Sequence, residues 1–399
     1  MSELKPHIVF LGQDGFPCGL AEIQKIRLIA KGLVHAGCEV TMINRLWILG
    51  KCPDNFTAKK NGTFEGVNYT FACGTPFRPH SFIERNFRRI ISMLNEIKIL
   101  WKLNRKKKIE CAIISIGSFW DVIYYWIISR LFSFTIVLTI TELFTQMQRI
   151  KNPIIYFDAW LIDKFAFRIV DGNLPINEFF IERIKTYGKS KPYLKVPVLV
   201  DLSRFDGIKR EPKEKYLLFC GSLAYLEVIK FIINAFDYCH TTDEIFLYFV
   251  VNGSPNRFIE LEKIISNSKR RSFIKVFSNL SELELSQLYV NAYALLIPLR
   301  PNLQDEARFP HKIGEYCASG RPIITTNYGE IRVYFEHCKT AMVALSYSEV
   351  EYANVIDLTV SDSNLADQVG LNGKHLAEKE FDYKLYGEKI KNFLHSLKH

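Results

Sequence analysis

The sequence predicts an α/β protein built from two doubly wound, Rossmann-like domains. Three observations predict it. The chain opens with a strand, a glycine-rich turn, a helix and a second strand. Strand-like and helix-like runs then alternate along most of its length. After a charged, proline-containing stretch near the middle, the same alternation starts again. At 399 residues the chain is too long for one ordinary core and suits two. Its composition, 48% hydrophobic and 24% charged, is that of an ordinary globular protein.

In the first half, His7 to Leu11 is a short apolar run and Gly12 to Gly19 is rich in turn residues. Leu20 to Ala36 carries Ile23, Ile26, Ile29, Ala30 and Leu33 at helical spacing, and Cys38 to Asn44 is the next strand. This is how a parallel doubly wound sheet begins. Cys111 to Ile116, Phe134 to Thr139 and Gly172 to Ile176 are further strands. The longest apolar stretch, Val122 to Leu138, is interrupted by Arg130. It is expected to form a buried helix (Ile123 to Arg130) and a buried strand rather than a membrane span. Pro197 to Lys215 has linker composition. In the second half, strands are expected at 216–220, 245–251, 275–277, 294–299 and 322–326, and helices at 228–236 and 257–265. Ser281 and Glu284 form a capping box that opens another helix. The expected boundaries are 1–200 for an N-terminal and 201–380 for a C-terminal Rossmann-like domain. Within 381–399, a last helix from about Tyr383 to Leu397 is expected to cross back onto the first domain.

A net charge of +10 and a pI near 9.0 favour anionic partners: nucleic acid, an anionic membrane or phosphorylated substrates. No zinc-finger spacing, RNA-recognition motif or basic arm is present, which argues against nucleic acid. The nine cysteines are widely spaced, odd in number and without a C-x-x-C. They read as free thiols of a cytoplasmic protein and not as a disulfide framework or zinc site. The first residues run directly into a strand and show no secretory leader. Much of the charge lies between Glu84 and Lys108, where nine basic and two acidic residues give +7. Phe87, Ile90, Ile91, Leu94, Ile97 and Trp101 recur there at helical spacing. Such a helix suits adsorption to an anionic membrane through Arg85, Arg88, Arg89, Lys98, Trp101 and Lys102, peripheral on the inner face. The alternative is a helix packed on the first sheet with a solvated basic end.

The most informative stretch runs from Leu295 to Thr326: a strand, a polar loop with Arg300, a helix entered through Pro310, a glycine turn and another strand. Backbone N–H groups at a helix start are unpaired, and the helix dipole makes that end partly positive. Arg308, His311 and Lys312 cluster where basic side chains are normally disfavoured. They make sense if an anion such as a diphosphate binds there. Glu315, three residues after Lys312, shares its face of the helix and is placed to accept hydrogen bonds from sugar hydroxyls. The plainer alternative is a solvated charged turn before an ordinary packing helix.

FPHKIGEYCASGRPIITT resembles the donor-site segment of group 1 glycosyltransferases of the family 4 type. Pro310, Lys312, Glu315, Tyr316, Ala318, Gly320 and Pro322 fall on that family's pattern. FPCGLAEIQKIRLIAKGL, VPVLVDLSRF, FCGSL, SELELSQLYVNAYALLIPLR and EFDYKLYGEKIKNFL extend the resemblance over the chain, least between about 45 and 200. The resemblance implies a GT-B fold, two Rossmann-like domains facing a cleft. It implies a retaining glycosyltransferase that takes a nucleotide-diphosphate sugar and no metal or other cofactor. Glu315 would hold the donor ribose, Lys312 and nearby amides the diphosphate, and Gly19 would let the N-terminal backbone approach the transferred group. Gly221, Ser222, Arg300 and His311 complete the expected donor site, with Glu306, Lys312 and Arg308 as catalytic residues.

Two departures stand out. The family's first acidic position falls on Ala307, with Glu306 one residue earlier. Leu226 and Glu227 stand where a basic residue is common, so Arg300, Arg308 or Lys312 must compensate. Electrostatic stabilisation of the leaving diphosphate is the expected source of catalysis. The sequence carries no D-x-D motif and no His cluster. On the acceptor side, Glu142 follows a strand end, where doubly wound sheets place ligands, and His80 lies in a loop. The acceptor is expected to be a saccharide or lipid-linked, in surface polysaccharide or glycan synthesis. The competing functions are a nucleotide-sugar epimerase and a non-catalytic scaffold on the same fold.

Overall fold

The computed structural model describes residues 5–19, 21–53, 55–146, 152–240 and 245–397. Leu20, expected to open the first helix, and residues 1–4 lie outside the described residues. Residues 1–199 with 383–399 form one compact unit, and residues 200–382 form another.

The first unit contains, in order, β1 (His7–Gln13), α1 (Ala21–His35), β2 (Glu39–Asn44), β3 (Asn61–Phe64), β4 (Val67–Phe71), α2 (Phe82–Lys106), β5 (Cys111–Ile114), α3 (Phe119–Phe132), β6 (Thr135–Ile140), α4 (Pro153–Ile169), β7 (Gly172–Pro175) and α5 (Glu178–Tyr187). Its sheet runs β3-β4-β2-β1-β5-β6-β7. Every neighbouring pair is parallel except the β3–β4 hairpin at the edge. The chain leaves β1 toward one edge and later returns to its other side, so β1 and β5 flank a topological switch point. Ligands of such sheets bind at the carboxyl ends of those strands. Strands of the sheet's centre are buried on both faces and read as unbroken apolar runs, as in IVFL of β1 and CAII of β5.

The second unit contains β8 (Lys215–Ser222), α6 (Leu226–Tyr238), β9 (Ile245–Asn252), α7 (Pro255–Ser266), β10 (Ile274–Phe277), α8 (Glu282–Asn291), β11 (Ala294–Ile297), α9 (Leu303–Glu306), α10 (Lys312–Ala318), β12 (Ile323–Thr326), α11 (Ile331–Tyr334), β13 (Met342–Ala344), α12 (Glu349–Ser361) and α13 (Ser363–Glu380). Its sheet order, β10-β9-β8-β11-β12-β13, is the Rossmann order 3-2-1-4-5-6, with the switch point between β8 and β11. The capping box at Ser281 and Glu284 forms as expected: Glu284 N–H donates to Ser281 Oγ, and Ser281 N–H donates back to the Glu284 carboxylate.

The last helix, α14 (Tyr383–Ser396), packs on α1. The two helices cross at glycines. A Cβ on Gly387 would lie 2.1 Å from the Gly32 carbonyl oxygen, and one on Gly32 would lie 2.5 Å from that of Tyr383. Lys391 ties the crossing further by donating to the Ala36 carbonyl at 2.7 Å.

Three expectations are corrected, and one of the two readings of α2 is decided. Cys18 and Cys52 form a disulfide. It joins the loop after β1 to the segment after β2, and the other seven cysteines are free thiols. The segment read as a linker is partly structured: Leu202–Phe205 forms a short 3-10 turn capped by Asp201, whose side chain accepts from Ser203 N–H. The helix at Ile123–Arg130 is not buried all round, since Trp126, Ile127 and Arg130 are exposed. The basic helix α2 does not turn its apolar stripe to the sheet. Its inward face is Ser92, Glu96 and Leu100, and Phe87, Ile90, Leu94 and Trp101 face outward.

Candidate functional site

In the second unit the expected site residues gather at the carboxyl ends of β8 and β11, the switch point of that sheet. The loop after β11 is wound around one buried carboxylate, Asp305. Arg300 donates to it from its backbone N–H (2.7 Å), from Nε (2.9 Å) and from Nη2 (2.8 Å), while Asn302 caps the turn by accepting from Asp305 N–H at 2.9 Å. Arg308 Nε lies 2.9 Å from the same carboxylate. Burial pushes the Asp305 carboxyl up, but the Arg300 hydrogen bonds and the Arg308 charge outweigh it and hold the group below its ordinary value. Arg300 also pairs with Glu227 and donates to Gln304. Glu227, which stands where the resemblance expects a base, is therefore an anchor for Arg300. Tyr225, beside it, places its ring 4.4 Å from the Arg308 guanidinium and 5.6 Å from that of Arg300. Two arginines and two carboxylates balance here. The Arg300 guanidinium is thus shared among Asp305, Glu227 and Gln304.

The charge does not balance one turn further on. His311 stands at the N-cap of α10. Lys312 Nζ lies 2.7 Å from Glu315 Oε2, and Arg204 Nη1 lies 2.7 Å from Glu315 Oε1. Arg204 also donates to Ser286 Oγ at 3.3 Å, and the Lys312 ammonium sits 5.7 Å from the centre of the Tyr289 ring. Burial raises the Glu315 carboxyl, but Lys312 and Arg204 outweigh it and bring it down to about 2. Glu315 is thus ionised at any working pH, and the trio keeps one net positive charge. Each carboxylate oxygen has two acceptor sites, so Glu315 retains acceptor capacity beside its two cations. Tyr316 locks this helix to the sheet, its hydroxyl accepting from Cys220 N–H at 2.8 Å.

The first-acid position is occupied by a buried Ala307, at the end of α9. Glu306 is half-buried on that turn and acts on Tyr328, raising its hydroxyl together with the larger effect of burial. Gly329 makes this approach possible: its φ is +54°, and a Cβ there would lie 3.0 Å from the Asp305 carbonyl oxygen. Gly221 and Ser222 end β8, and Ser222 Oγ accepts from Ala224 N–H at 3.1 Å to start a 3-10 turn. Arg204 was not singled out from the sequence. A single arginine in DLSRF, beside a charged stretch, reads as solvated, and only the fold carries it to Glu315.

In the first unit, Gly19 belongs to the loop after β1. Its N–H donates to the Lys51 carbonyl at 3.1 Å, next to the Cys18–Cys52 bond. Glu142 is exposed after β6 and raises the carboxyl of Glu22, in the first turn of α1, beyond the larger effect of burial. His80 is exposed in the turn before α2. Arg85 donates to the carbonyls of Pro79 and His80, and Arg88 pairs with Glu84 and donates to the Cys73 carbonyl. These two arginines brace the turn and are half-buried; Arg89, Lys98, Trp101 and Lys102 are exposed. Among the described residues no three His, Cys, Asp or Glu side chains converge as a metal-holding group.

Residues 203–376 match the family model described as Glycosyl transferases group 1. Among curated proteins none matches the sequence. Solved structures match in fold over nearly the whole chain. Sucrose-phosphate synthase from Thermosynechococcus elongatus has a TM-score of 0.75 at 13% identity, covering 99% of both chains. A glycosyltransferase from Rickettsia africae has 0.71 at 14% identity, covering 98% of both. HepE of Anabaena in complex with UDP-glucose has 0.67 at 14% identity, covering 98% of this chain and 99% of its own.

Proposed function

We propose that this chain, a group 1 glycosyltransferase by its residues 203–376 and GT-B in fold, moves a sugar from a nucleotide-diphosphate sugar to a saccharide or lipid-linked acceptor. The single observation that carries the proposal is the convergence of two cations, Arg204 and Lys312, on Glu315, inside the matched segment. Paired cations beside a carboxylate suit a diphosphate joined to a ribose. The UDP-glucose complex of HepE supports a nucleoside diphosphate donor of that kind. Glu315 takes the donor ribose, and Lys312 and Arg204 take the diphosphate.

During transfer the bond from the anomeric carbon to the diphosphate oxygen breaks and a bond to an acceptor oxygen forms. Negative charge grows on the leaving diphosphate. Fixed cations at that point stabilise the transition state more than the ground state and lower the barrier. Arg308, held by Asp305, and Glu306, on the neighbouring turn, complete the catalytic set, with His311, Gly221 and Ser222 lining the donor and no metal required. Gly19 lets the backbone approach the phosphate or the transferred sugar, and Glu142 and His80 belong to the acceptor side. Transfer proceeds with retention, in glycan or surface polysaccharide synthesis. The protein works on the cytoplasmic side, peripheral to an anionic membrane through the exposed Arg89, Lys98, Trp101 and Lys102.

A panel of nucleotide-sugars tests the proposal. A true donor raises the melting temperature by mass action, and its nucleoside diphosphate is released when an acceptor is supplied. The anomeric configuration of the product, read by NMR, decides retention. Stabilisation by no nucleotide or nucleotide-sugar would contradict the proposal. The buried Ala307 in place of an acid favours one second reading, a non-catalytic scaffold. Stabilisation without release of nucleoside diphosphate under any acceptor would establish it.

A further inference from the structure

The helices α2, α3 and α4 form one layer on one face of the first sheet. Each connects a strand to a parallel one nearer the β7 edge: β4 to β5, β5 to β6, β6 to β7. Right-handed crossovers in one direction put all three on the same face, and α1, which runs the other way from β1 to β2, on the opposite face. The layer is joined side to side. Tyr124 of α3 donates to the Met93 carbonyl of α2 at 2.9 Å. Asp158 of α4 accepts from Ser118 Oγ and Phe119 N–H, at 3.0 and 3.1 Å, at the start of α3.

Each helix of this layer turns large apolar side chains outward. In α2 they are Ile83, Phe87, Ile90, Leu94 and Trp101, a single stripe at helical spacing, opposite the buried Ser92, Glu96 and Leu100. In α3 they are Trp120, Ile127 and Leu131, opposite the buried Val122, Tyr125 and Ser129. In α4 they are Ile154 and Phe157. Ile83, Leu131 and Ile154 are 79%, 72% and 76% exposed. Helices of a water-facing layer put their apolar stripe inward. Here α2 puts a carboxylate inward, Glu96, which meets Arg45 at 3.4 Å and accepts from the Tyr125 hydroxyl at 3.1 Å. Large apolar side chains about half or more exposed to water on three adjoining helices mark a surface that meets an apolar partner.

We infer that this whole outer surface, and not α2 alone, lies against an anionic lipid leaflet, with the apolar residues of α3 and α4 entering the boundary between headgroups and acyl chains. The charge pattern commits the surface to that partner. Lys98, Lys102, Lys106 and Lys108 make no ion pair among the described residues. Arg105 lies 4.9 Å from the Trp101 ring; Arg130, 5.9 Å from that of Trp126, is paired with Asp171 at 2.6 Å. Cations paired with aromatic rings beside apolar stripes suit headgroups above and acyl chains below. The acids of the layer are occupied: Glu84 by Arg88, Asp121 and Asp158 by helix starts. The inference goes beyond the electrostatic adsorption proposed for α2 and does not depend on the donor site.

The test uses the full chain and vesicles of phosphatidylcholine with and without phosphatidylglycerol. One variant carries Ile127→Ser, Leu131→Ser and Ile154→Ser; the other carries Lys98→Glu and Lys102→Glu. The wild type is expected to float with the anionic vesicles and to shift its tryptophan emission to the blue. The serine variant should lose about tenfold or more of its partitioning at both low and high salt, since burial of apolar surface is not screened. The glutamate variant should lose binding mainly at low salt. Both should keep nucleotide stabilisation, which separates this inference from the donor proposal. Absence of wild-type binding to anionic vesicles would overturn it, as would wild-type partitioning by the serine variant. A surface that instead holds two copies together, so that the serine variant is monomeric and the wild type dimeric with equal vesicle binding, would overturn it as well.

Discussion

Glu315→Ala removes the one carboxylate that two cations share, and its cost follows from the geometry. Lys312 and Arg204 each approach Glu315 to 2.7 Å, and together they bring its carboxyl from 4.5 to about 2. That lowering corresponds to about 3 kcal/mol of stability. The sign is that of a depressed acid: the contribution is complete above pH 4.5 and is lost as pH falls toward 2. At neutral pH the alanine variant should therefore be about 3 kcal/mol less stable, and the gap should close as pH drops through that window. Urea unfolding at neutral pH and at several values between 4.5 and 2 measures both. The same variant should lose the hydrogen bond that the Glu315 carboxylate is proposed to accept from the donor ribose, about 1.5–3 kcal/mol or roughly ten- to a hundred-fold in affinity, read by calorimetry on folded protein. Equal stability of variant and wild type across the acid range would refute the charge coupling. Unchanged nucleotide affinity would remove Glu315 from the donor site.

Lys312→Ala should lower turnover far more than Lys106→Ala, because Lys312 belongs to the proposed diphosphate site and Lys106 is exposed on α2; steady-state kinetics with a soluble acceptor compares them, and equal effects would misplace the phosphate site. Lys25 is buried in α1, with its ammonium donating to the Val196 carbonyl at 2.9 Å, and burial lowers it to about 7 despite Glu22. Wild-type stability should then rise with pH between about 7 and 10, as the unfolded chain alone stays protonated, and Lys25→Met should raise the melting temperature at neutral pH and flatten that rise. Gly387→Ala should cost about 3 kcal/mol by overpacking, since its Cβ would meet the Gly32 carbonyl oxygen; a melting curve equal to wild type would mean that α14 does not cross α1 there.

Much of the architecture was legible because buried parallel strands leave unbroken apolar runs such as IVFL and ALLI. The capping box at Ser281 was legible because its chemistry is local. The β3–β4 hairpin was not, since its turn residues Glu65 and Gly66, with φ of 49° and 79°, join short strands with little alternation. The direction of α2 was not legible either. Apolar residues at helical spacing define a stripe but not which partner it meets, and only Glu96 with Arg45 fixes the opposite side inward. In the site, Glu315 and Lys312 were found because they are three residues apart on one helix. Arg204 reaches Glu315 across 111 positions, and the commitment of Arg300 to Asp305 and Glu227 depends on a loop whose winding the sequence does not spell out. The Cys18–Cys52 pairing escaped for the same reason: two loops meet, and spacing alone does not say so.

The diphosphate site proposed for Arg204, Lys312 and Glu315 is open to direct measurement. Its most direct test is calorimetric titration of uridine, guanosine and adenosine diphosphates into the wild type and into Arg204→Ala. The wild type should bind at least one of them, and the variant should bind it about tenfold or more weakly, with an enthalpy that weakens further at high salt. Binding of none by the wild type, or equal binding by Arg204→Ala in a folded protein, would contradict it.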